Sequence, residues 1–486
     1  MRDQKLQDAA KAVAALQDEE TKLSCRHQEV KQALVQARAT HARIHNEQAA
    51  VSKLPNEILA EIFHLCQDRW AEICSRGFGR KPFEIIASQV TSIWREVVLS
   101  TQLFWSTINL VVCPQSRWWS CELQRLESYL TRSGRHCLDV FVRVMDSGSF
   151  SEFLYLIAAH SIRWRRISLI LTHEQHMNDV YRSFYLVEAP ILEHLSIMRV
   201  PSSIGHHYGS TFEPILTFGT PSLSFVRLSF TGILNVVPPL GVVTTLQLDS
   251  PTTDMLPPAG LQTLLNMAPR LVNLSLTSLR FVQSSGDAPI SMPYLRSLRI
   301  RNNGTPYHHL LSLITPDRLQ SLSLHGVNTF RTTTVLSSLQ SLTLESCRFP
   351  DIEIGNILRA FPALSSLIID DSVPGIYNML GVKHLVPPGW SGTLPLPGVL
   401  LPDLKTLSIR RLHPFLIMTL GCLVYDRGRI HTPITLVRLD AQSQETLRAA
   451  NVLSELSAIV DIEPCEQLEP WPAGLGYREP NDEWVH

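Results

Sequence analysis

The chain has no long apolar run, no paired-cysteine motif and almost no net charge, and each absence removes a class of function. Its longest apolar stretch, residues 414–425, is too short to span a bilayer and is broken by Thr419 and Gly421. With 43 basic against 44 acidic residues the net charge is −1, which argues against nucleic acid or an anionic membrane as a main partner. The nine cysteines are odd in number and form no C-x-x-C pair, so a reducing compartment is expected and no zinc site is. No P-loop, G-x-G-x-x-G, G-x-S-x-G or H-E-x-x-H occurs. No catalytic centre, metal or cofactor is therefore expected, and the chain reads as a non-enzyme. The start is polar and charged from Arg2 onward and lacks the apolar core of a secretion leader. A cytoplasmic and/or nuclear location is the expectation, with the glycosylation patterns at Asn273 and Asn303 inert.

What is present is a globular chain. Hydrophobic residues make up 44% and charged residues 18% of 486 positions. Such a length suggests about three domains, or one repeat array that absorbs most of it.

Residues 1–50 contain neither proline nor glycine and are rich in Ala, Gln, Lys and Glu, which predicts one long helix. Leu16, Leu23, Val30, Ala37 and Ile44 recur every seven residues. A second seam three residues earlier (Val13, Glu20, His27, Leu34, His41) is mostly polar. Self-association as a coiled coil stands beside a simpler reading, a narrow stripe packed on the region that follows.

In residues 54–65, Leu54-Pro55 opens a helical pattern of Ile58, Leu59, Ile62, Phe63 and Leu65. Residues 67–83 read as an insertion. A second helix is predicted over 85–99, with Ile86, Val90, Trp94, Val97 and Val98 as its apolar set. Then comes Thr101-Gln102-Leu103-Phe104-Trp105. The Leu-Pro-x-Glu-Ile-Leu start, the Trp94-Arg95 pair and the closing Thr-x-Leu-x-Trp together resemble an F-box, in the form common in large fungal F-box families. The resemblance implies a docking module for a Skp-type adaptor of a cullin-based ubiquitin ligase. Leu54, Pro55, Ile58, Leu59 and Ile62, with Trp94 and Val98, would form or support that docking surface.

From residue 137 to 440 the chain repeats itself. The clearest unit is Pro-x-Leu-x-x-Leu-x-Leu/Ile, with its proline at Pro190, Pro269, Pro293 and Pro402 and, slightly varied, at Pro221 and Pro362. Units begin at Leu192, Leu223, Val243, Leu271, Leu295, Leu319, Leu339, Leu364, Leu404 and Ile434, with weaker ones near Trp105, Cys137 and Trp164. Most steps match leucine-rich repeats. The last two apolar positions lie two apart and share one strand face, so stacked units share a core. A curved array with a parallel sheet on its concave side is predicted, with proline lying ahead of each strand where no ladder bond is needed. Asn303 and Cys347 occupy the ladder position after the strand. Residues 374–398, rich in Pro and Gly, read as a projecting loop. After Asp440 a helix is predicted over 441–459, then an acidic tail, residues 461–486, which reads either as a cap on the last repeat or as a loosely ordered segment.

Histidine pairs at 206–207 and 308–309, and His173-x-x-His176, lack the companions of a metal site. Arg163-x-Arg165-Arg166 and Arg296-x-x-Arg299-x-Arg301 are basic clusters on repeat strands, most simply solvated. Arg299, Arg301, His325 and Arg410 point out of the predicted sheet, where they suit an acidic or phosphorylated protein segment, Arg299 as anchor.

The expected architecture is α/β: a long helix (1–50), a small helical F-box (51–110), a leucine-rich-repeat solenoid with a parallel β-sheet (111–440), and a C-terminal helix with an acidic tail (441–486). The implied role is substrate recognition in a Skp–cullin–F-box ligase, with a protein substrate on the repeats. Two rivals are an F-box scaffold acting outside ubiquitination and an enzyme with a leucine-rich appendage.

Overall fold

The computed structural model describes residues 2–74, 82–117, 119–173, 175–199, 211–229, 234–249, 258–278, 290–301, 314–330, 335–370, 376, 380 and 400–465. Two compact units make up the chain, Met1–Trp105 and Ser106–His486.

The first unit is built of helices. Helix α1 (Arg2–Gln48) runs unbroken for 47 residues, as a stretch of strong helix formers without Pro or Gly should. Every side chain from Asp3 to His45 is exposed. Three further helices follow: α2 (Asn56–Cys74), α3 (Phe83–Ala87) and α4 (Ser92–Ser100). The single helix predicted over 85–99 is thus two. Thr91 is the reason. Its backbone is extended, and its hydroxyl accepts a hydrogen bond from the Trp94 N–H at 3.0 Å. An N-cap of this kind starts a new helix rather than continuing the old one.

Phe63 of α2 is the centre of this unit. Its ring lies 4.7 Å from Trp94, 5.8 Å from Phe83 and 6.3 Å from Phe104. Leu59, Val97, Val98 and Trp105 are buried with it. The Trp105 indole N–H donates to the Val98 carbonyl at 2.9 Å, which fastens the closing aromatic to α4.

The second unit is a repeat. In chain order its strands are β1 (Thr107–Val112), β2 (Leu138–Val144), β3 (Trp164–Leu171), β4 (His194–Arg199), β5 (Thr211–Pro214) and β6 (Phe225–Ser229). Next come β7 (Leu234–Val237), β8 (Thr245–Asp249), β9 (Asn273–Thr277), β10 (Ile290–Ser291), β11 (Ser297–Arg301) and β12 (Ile314–Thr315). The last are β13 (Ser321–His325), β14 (Ser341–Glu345), β15 (Ser366–Asp370), β16 (Thr406–Arg410), β17 (Leu436–Leu439) and β18 (Asp461–Pro464). Among the described residues β5 pairs with β7 and β10 with β12, and the other fourteen form one sheet in chain order. Its strands pair in parallel throughout the described residues, and helices such as 119–132, 258–266 and 351–360 lie on the return paths.

The leucines dictate this arrangement. Leu274, Leu298, Leu322, Leu342, Leu367 and Leu407 stand in one register row, and each is fully buried. Burial contributes roughly 1.5–3 kcal/mol per leucine side chain, so each unit is stabilised chiefly by its neighbours. The predicted strand positions, two apolar residues two apart, are the observed ones from β4 to β16.

The proline has a sharper role than clearing a ladder position. The first leucine of a unit donates its N–H to the carbonyl three residues back, as in Leu192 to Ala189, Leu271 to Ala268, Leu295 to Met292 and Leu404 to Leu401. Pro190, Pro269, Pro293 and Pro402 each follow that acceptor directly. They occupy the second position of a tight turn, where a fixed φ near −65° is already correct.

A matching device ends several strands. Ser278, Gly326, Ser346 and Arg411 follow β9, β13, β14 and β16 with φ between 52° and 64°. In the first three the N–H turns sideways onto the last carbonyl of the next strand, at Arg301, Glu345 and Asp370. Beyond that turn Cys347 fills the ladder position, its thiol donating to the Leu324 carbonyl at 3.3 Å. Asn303 lies outside the described residues.

The sheet exceeds the repeat region at both ends. It begins at β1 and continues past 440 to β18, within what reads in sequence as the acidic tail. The helix predicted over 441–459 is two, Ala441–Ala449 and Leu453–Ser457, parted by Asn451 at φ 58°. Arg427 is fully buried on the 417–429 helix and is held by backbone carbonyls. Its guanidinium donates to the carbonyls of Thr432, Leu400 and Leu401. Burial pulls its pKa down to about 10, so it stays charged at neutral pH.

Candidate docking surfaces

Helix α2 has two apolar faces, and only one is used inside its unit. Leu59 and Phe63 are buried, 0% and 2% exposed. Leu54, Ile58 and Ile62, four residues apart, are 37%, 49% and 39% exposed, and Pro55 is exposed beside them. Leu65 continues the exposed side at 65%. A row of aliphatic side chains at helical spacing in solvent is the kind of surface on which a partner can dock. The predicted adaptor residues therefore divide. Leu54, Pro55, Ile58 and Ile62 lie open to solvent, while Leu59 and Val98 are fully buried within the unit. Trp94 is half-buried against Phe63 and links the two sets. Helical spacing alone does not say which of two apolar faces packs inward. Leu99, 41% exposed on α4, extends the apolar surface of the unit.

The second surface is on the sheet. The residue between the two buried leucines points to the opposite side. Parallel register carries this mid-strand row from Arg227 through Gln247, Ser275, Arg299, Ser323 and Thr343 to Ile368. The row is not uniformly open. Ser168, Ser196, Arg227, Gln247 and Ser275 are all buried. On β11, β13 and β14 burial alternates, and Arg299, Ser323 and Thr343 are half-exposed. The outward side thus has a window over β11 to β15, floored by small hydroxyl side chains.

Within the window the register sets Arg299 between Ser275 and Ser323, and its Nε donates to the Ser275 hydroxyl at 2.9 Å. Arg301 stands opposite His325 on the next strand. Three of the four predicted substrate residues are thus brought together. The fourth is not. Arg410 lies four strands from Arg301, about 19 Å at the usual strand spacing. It belongs instead to an ion-pair cluster on Asp370, whose side chain is 4% exposed. Arg410 approaches its Oδ2 at 3.5 Å, and Arg411 Nε donates to its Oδ1 at 2.7 Å.

Other candidates resolve into structure. Arg163 donates to the carbonyls of Leu130 and His136 and to the Ser133 hydroxyl, tying down the turn before β2. Arg165 forms a two-pronged pair with Asp139, at 2.9 and 2.6 Å. Arg227 pairs with Asp249 at 2.7 Å, both almost fully buried. Its charge is unseen from solvent. His176 is buried with its Nε2 3.1 Å from the Gly148 carbonyl, and burial lowers its pKa. Its ring centre is 5.7 Å from that of His173, and among the described residues no group of three or more His, Cys, Asp or Glu is arranged for a metal ion. His206, His207, His308, His309 and nearly all of 374–398 lie outside the described residues. Among the described residues no helix is long and apolar enough to cross a membrane.

With this geometry in hand, comparison adds little. No family model matches the chain. No curated protein matches it. Among solved structures, an internalin (inlF) from Listeria monocytogenes is similar at 12% identity and a TM-score of 0.29. That match covers 66% of this chain and 94% of the other. A likeness this loose carries no argument. The α/β repeat with a long parallel sheet stands on the strand order and the buried leucine rows themselves.

Proposed function

We propose that the chain is a non-catalytic substrate-recognition subunit of a Skp–cullin–F-box type ubiquitin ligase. In this reading residues 51–105 are the F-box and dock the Skp-type adaptor through Leu54, Pro55, Ile58 and Ile62. The leucine-rich sheet receives a protein substrate over β11 to β15, with Arg299, Arg301 and His325 as its basic side and Arg410 at a distance. Ubiquitin transfer belongs to other subunits. What this chain contributes is placement, which holds a target lysine near the charged conjugating enzyme. A cytoplasmic or nuclear setting follows from that role.

One observation carries the reading. The segment whose residues resemble an F-box keeps an aliphatic stripe of α2 exposed over a packed aromatic core. A folded unit spends no stability on such a stripe unless a partner covers it. The sheet window supports the second half, because half-exposed polar side chains on a rigid floor suit reversible recognition.

The test is a reconstituted ligase containing the full chain, a Skp-type adaptor, cullin, RING subunit and conjugating enzyme. The expected result is ubiquitin conjugated to a protein that co-purifies with residues 106–486, lost when Leu54 and Pro55 become Ala. Adaptor binding without conjugation of any bound partner supports instead a scaffold outside ubiquitination. Absence of adaptor binding by the unmodified chain rejects both.

A further inference from the structure

Helix α1 leaves a long apolar row in solvent. Leu6, Val13, Leu16, Leu23, Val30 and Ile44 are between 50% and 74% exposed. Single exposed leucines need no explanation, but a row with a fixed repeat does. Leu16, Leu23, Val30 and Ile44 keep a seven-residue spacing with Ala37. On an isolated helix such a stripe drifts around the axis by about 20° per heptad, and it stays on one side only when two helices wind around each other. The row therefore calls for another long helix.

We infer that the covering helix is α1 of a second copy of this chain, running antiparallel. Two features select it. The first is the seam residues that are not apolar. In a parallel, in-register pair Glu20 meets Glu20 of the other copy in one core layer, and His27 meets His27, so like groups are buried together. In an antiparallel pair centred near residue 25, residue n lies level with about residue 50 − n of its mate. Glu20 then lies beside Val30 and Lys31 of the second copy, Leu34 beside Leu16, and Leu6 beside Ile44.

The second feature is charge. The first twenty residues hold five carboxylates (Asp3, Asp8, Asp18, Glu19, Glu20) and three cations. Residues 26–45 hold four cations (Arg26, Lys31, Arg38, Arg43) and one carboxylate. Antiparallel pairing sets the acidic half of each helix along the basic half of the other. A uniformly acidic or basic foreign helix would match one half and repel the other, whereas α1 sets its own net-acidic half along its own net-basic half. The dimer needs nothing from the F-box reading, and it would present two repeat sheets from one assembly.

The experiment is sedimentation equilibrium of the full chain across a concentration series, with the double variant L16E/L23E and the milder L16A/L23A. A dimer is expected whose dissociation constant rises more than about a hundredfold in L16E/L23E and by less in L16A/L23A, with the melting of the repeat unit unchanged. Orientation is read by placing the photo-crosslinker benzoylphenylalanine at Ala10 and sequencing the joined peptides. Crosslinks to the segment around residues 38–41 are expected. A monomer at every concentration, or a dimer indifferent to L16E/L23E, overturns the inference. Crosslinks to the mate's own first residues overturn the antiparallel arrangement.

Discussion

Helix α2 and strand β11 each bury one set of side chains and leave another in water, yet what they leave is opposite in kind. α2, with Leu54 just ahead of it, keeps Leu54, Ile58 and Ile62 in solvent, whereas β11 keeps Ser297, Arg299 and Arg301 half-exposed. The difference says what sort of partner each tolerates. An uncovered aliphatic stripe favours a lasting complex driven by burial and little affected by salt. A polar floor with guanidinium groups favours an exchangeable ligand whose binding weakens as salt rises. Under the proposed function, the same chain would hold one protein firmly and others in turn.

The comparison breaks most violently in the shared core. Leu298→Asp puts an unpaired charge amid the leucine row and should cost several kcal/mol, about 4, seen as loss of the cooperative melt. Both surfaces of the variant should be judged separately, because Leu298 belongs to the second unit. Next comes the buried cation of the second unit. Arg427→Met strands three carbonyls and should cost about 3 kcal/mol in the same melt. A neutral result would mean that the cavity rehydrates them.

Sharper still is a contrast of salt. Reversing Arg299 and Arg301 to Glu should abolish substrate-partner binding while the melt and adaptor binding stay as they were, and wild-type partner binding should fall from 0.1 to about 0.5 M salt. Deleting 466–486 should leave that binding unchanged, which separates the sheet window from the acidic tail. If the double reversal binds as well as wild type, the basic patch is only a solvated surface.

The smallest expected effect is chemical. Burial pushes the Cys347 thiol up to about 11, so at pH 8 it is almost wholly protonated. Iodoacetamide at that pH should modify the exposed Cys25, Cys66, Cys121 and Cys137 and spare Cys347. The sign follows directly: the thiolate fraction grows only as pH approaches the raised value. Mass spectrometry that finds Cys347 labelled at the same rate would mean that the ladder turn opens readily.

Much of the fold is written in the chain because its cause is local. Period-two leucines, several of them behind a proline turn, name the long-sheet strands from β4 to β16 but not the side pairs β5–β7 and β10–β12. The ends are less legible. β18 offers only Ile462 as an inward apolar residue, and Asp461 and Glu463 disguise it as tail. The break at Thr91 hides because Thr also occurs inside helices, and only its capping bond reveals the boundary. The docking surfaces were half-visible. Spacing names the apolar residues of α2 but not the face that packs, which depends on where Phe83 and Phe104 come to rest. On the sheet, outward direction follows from period two. Exposure does not, since Arg227 spends its charge on Asp249 and Arg299 leans over Ser275. Arg410 looked like Arg301 in sequence because the strands between them, and Asp370 beside it, are a matter of distance.

The most direct measurement of the central claim is calorimetric titration of a purified Skp-type adaptor into the full chain and into Ile58→Glu/Ile62→Glu. Those residues lie on the exposed stripe, so the variant should melt as wild type does. The account predicts binding by the wild-type chain with a negative heat-capacity change. It predicts a loss of at least about 2 kcal/mol in the variant. Equal affinity of the two proteins, or no binding by wild type, would contradict it.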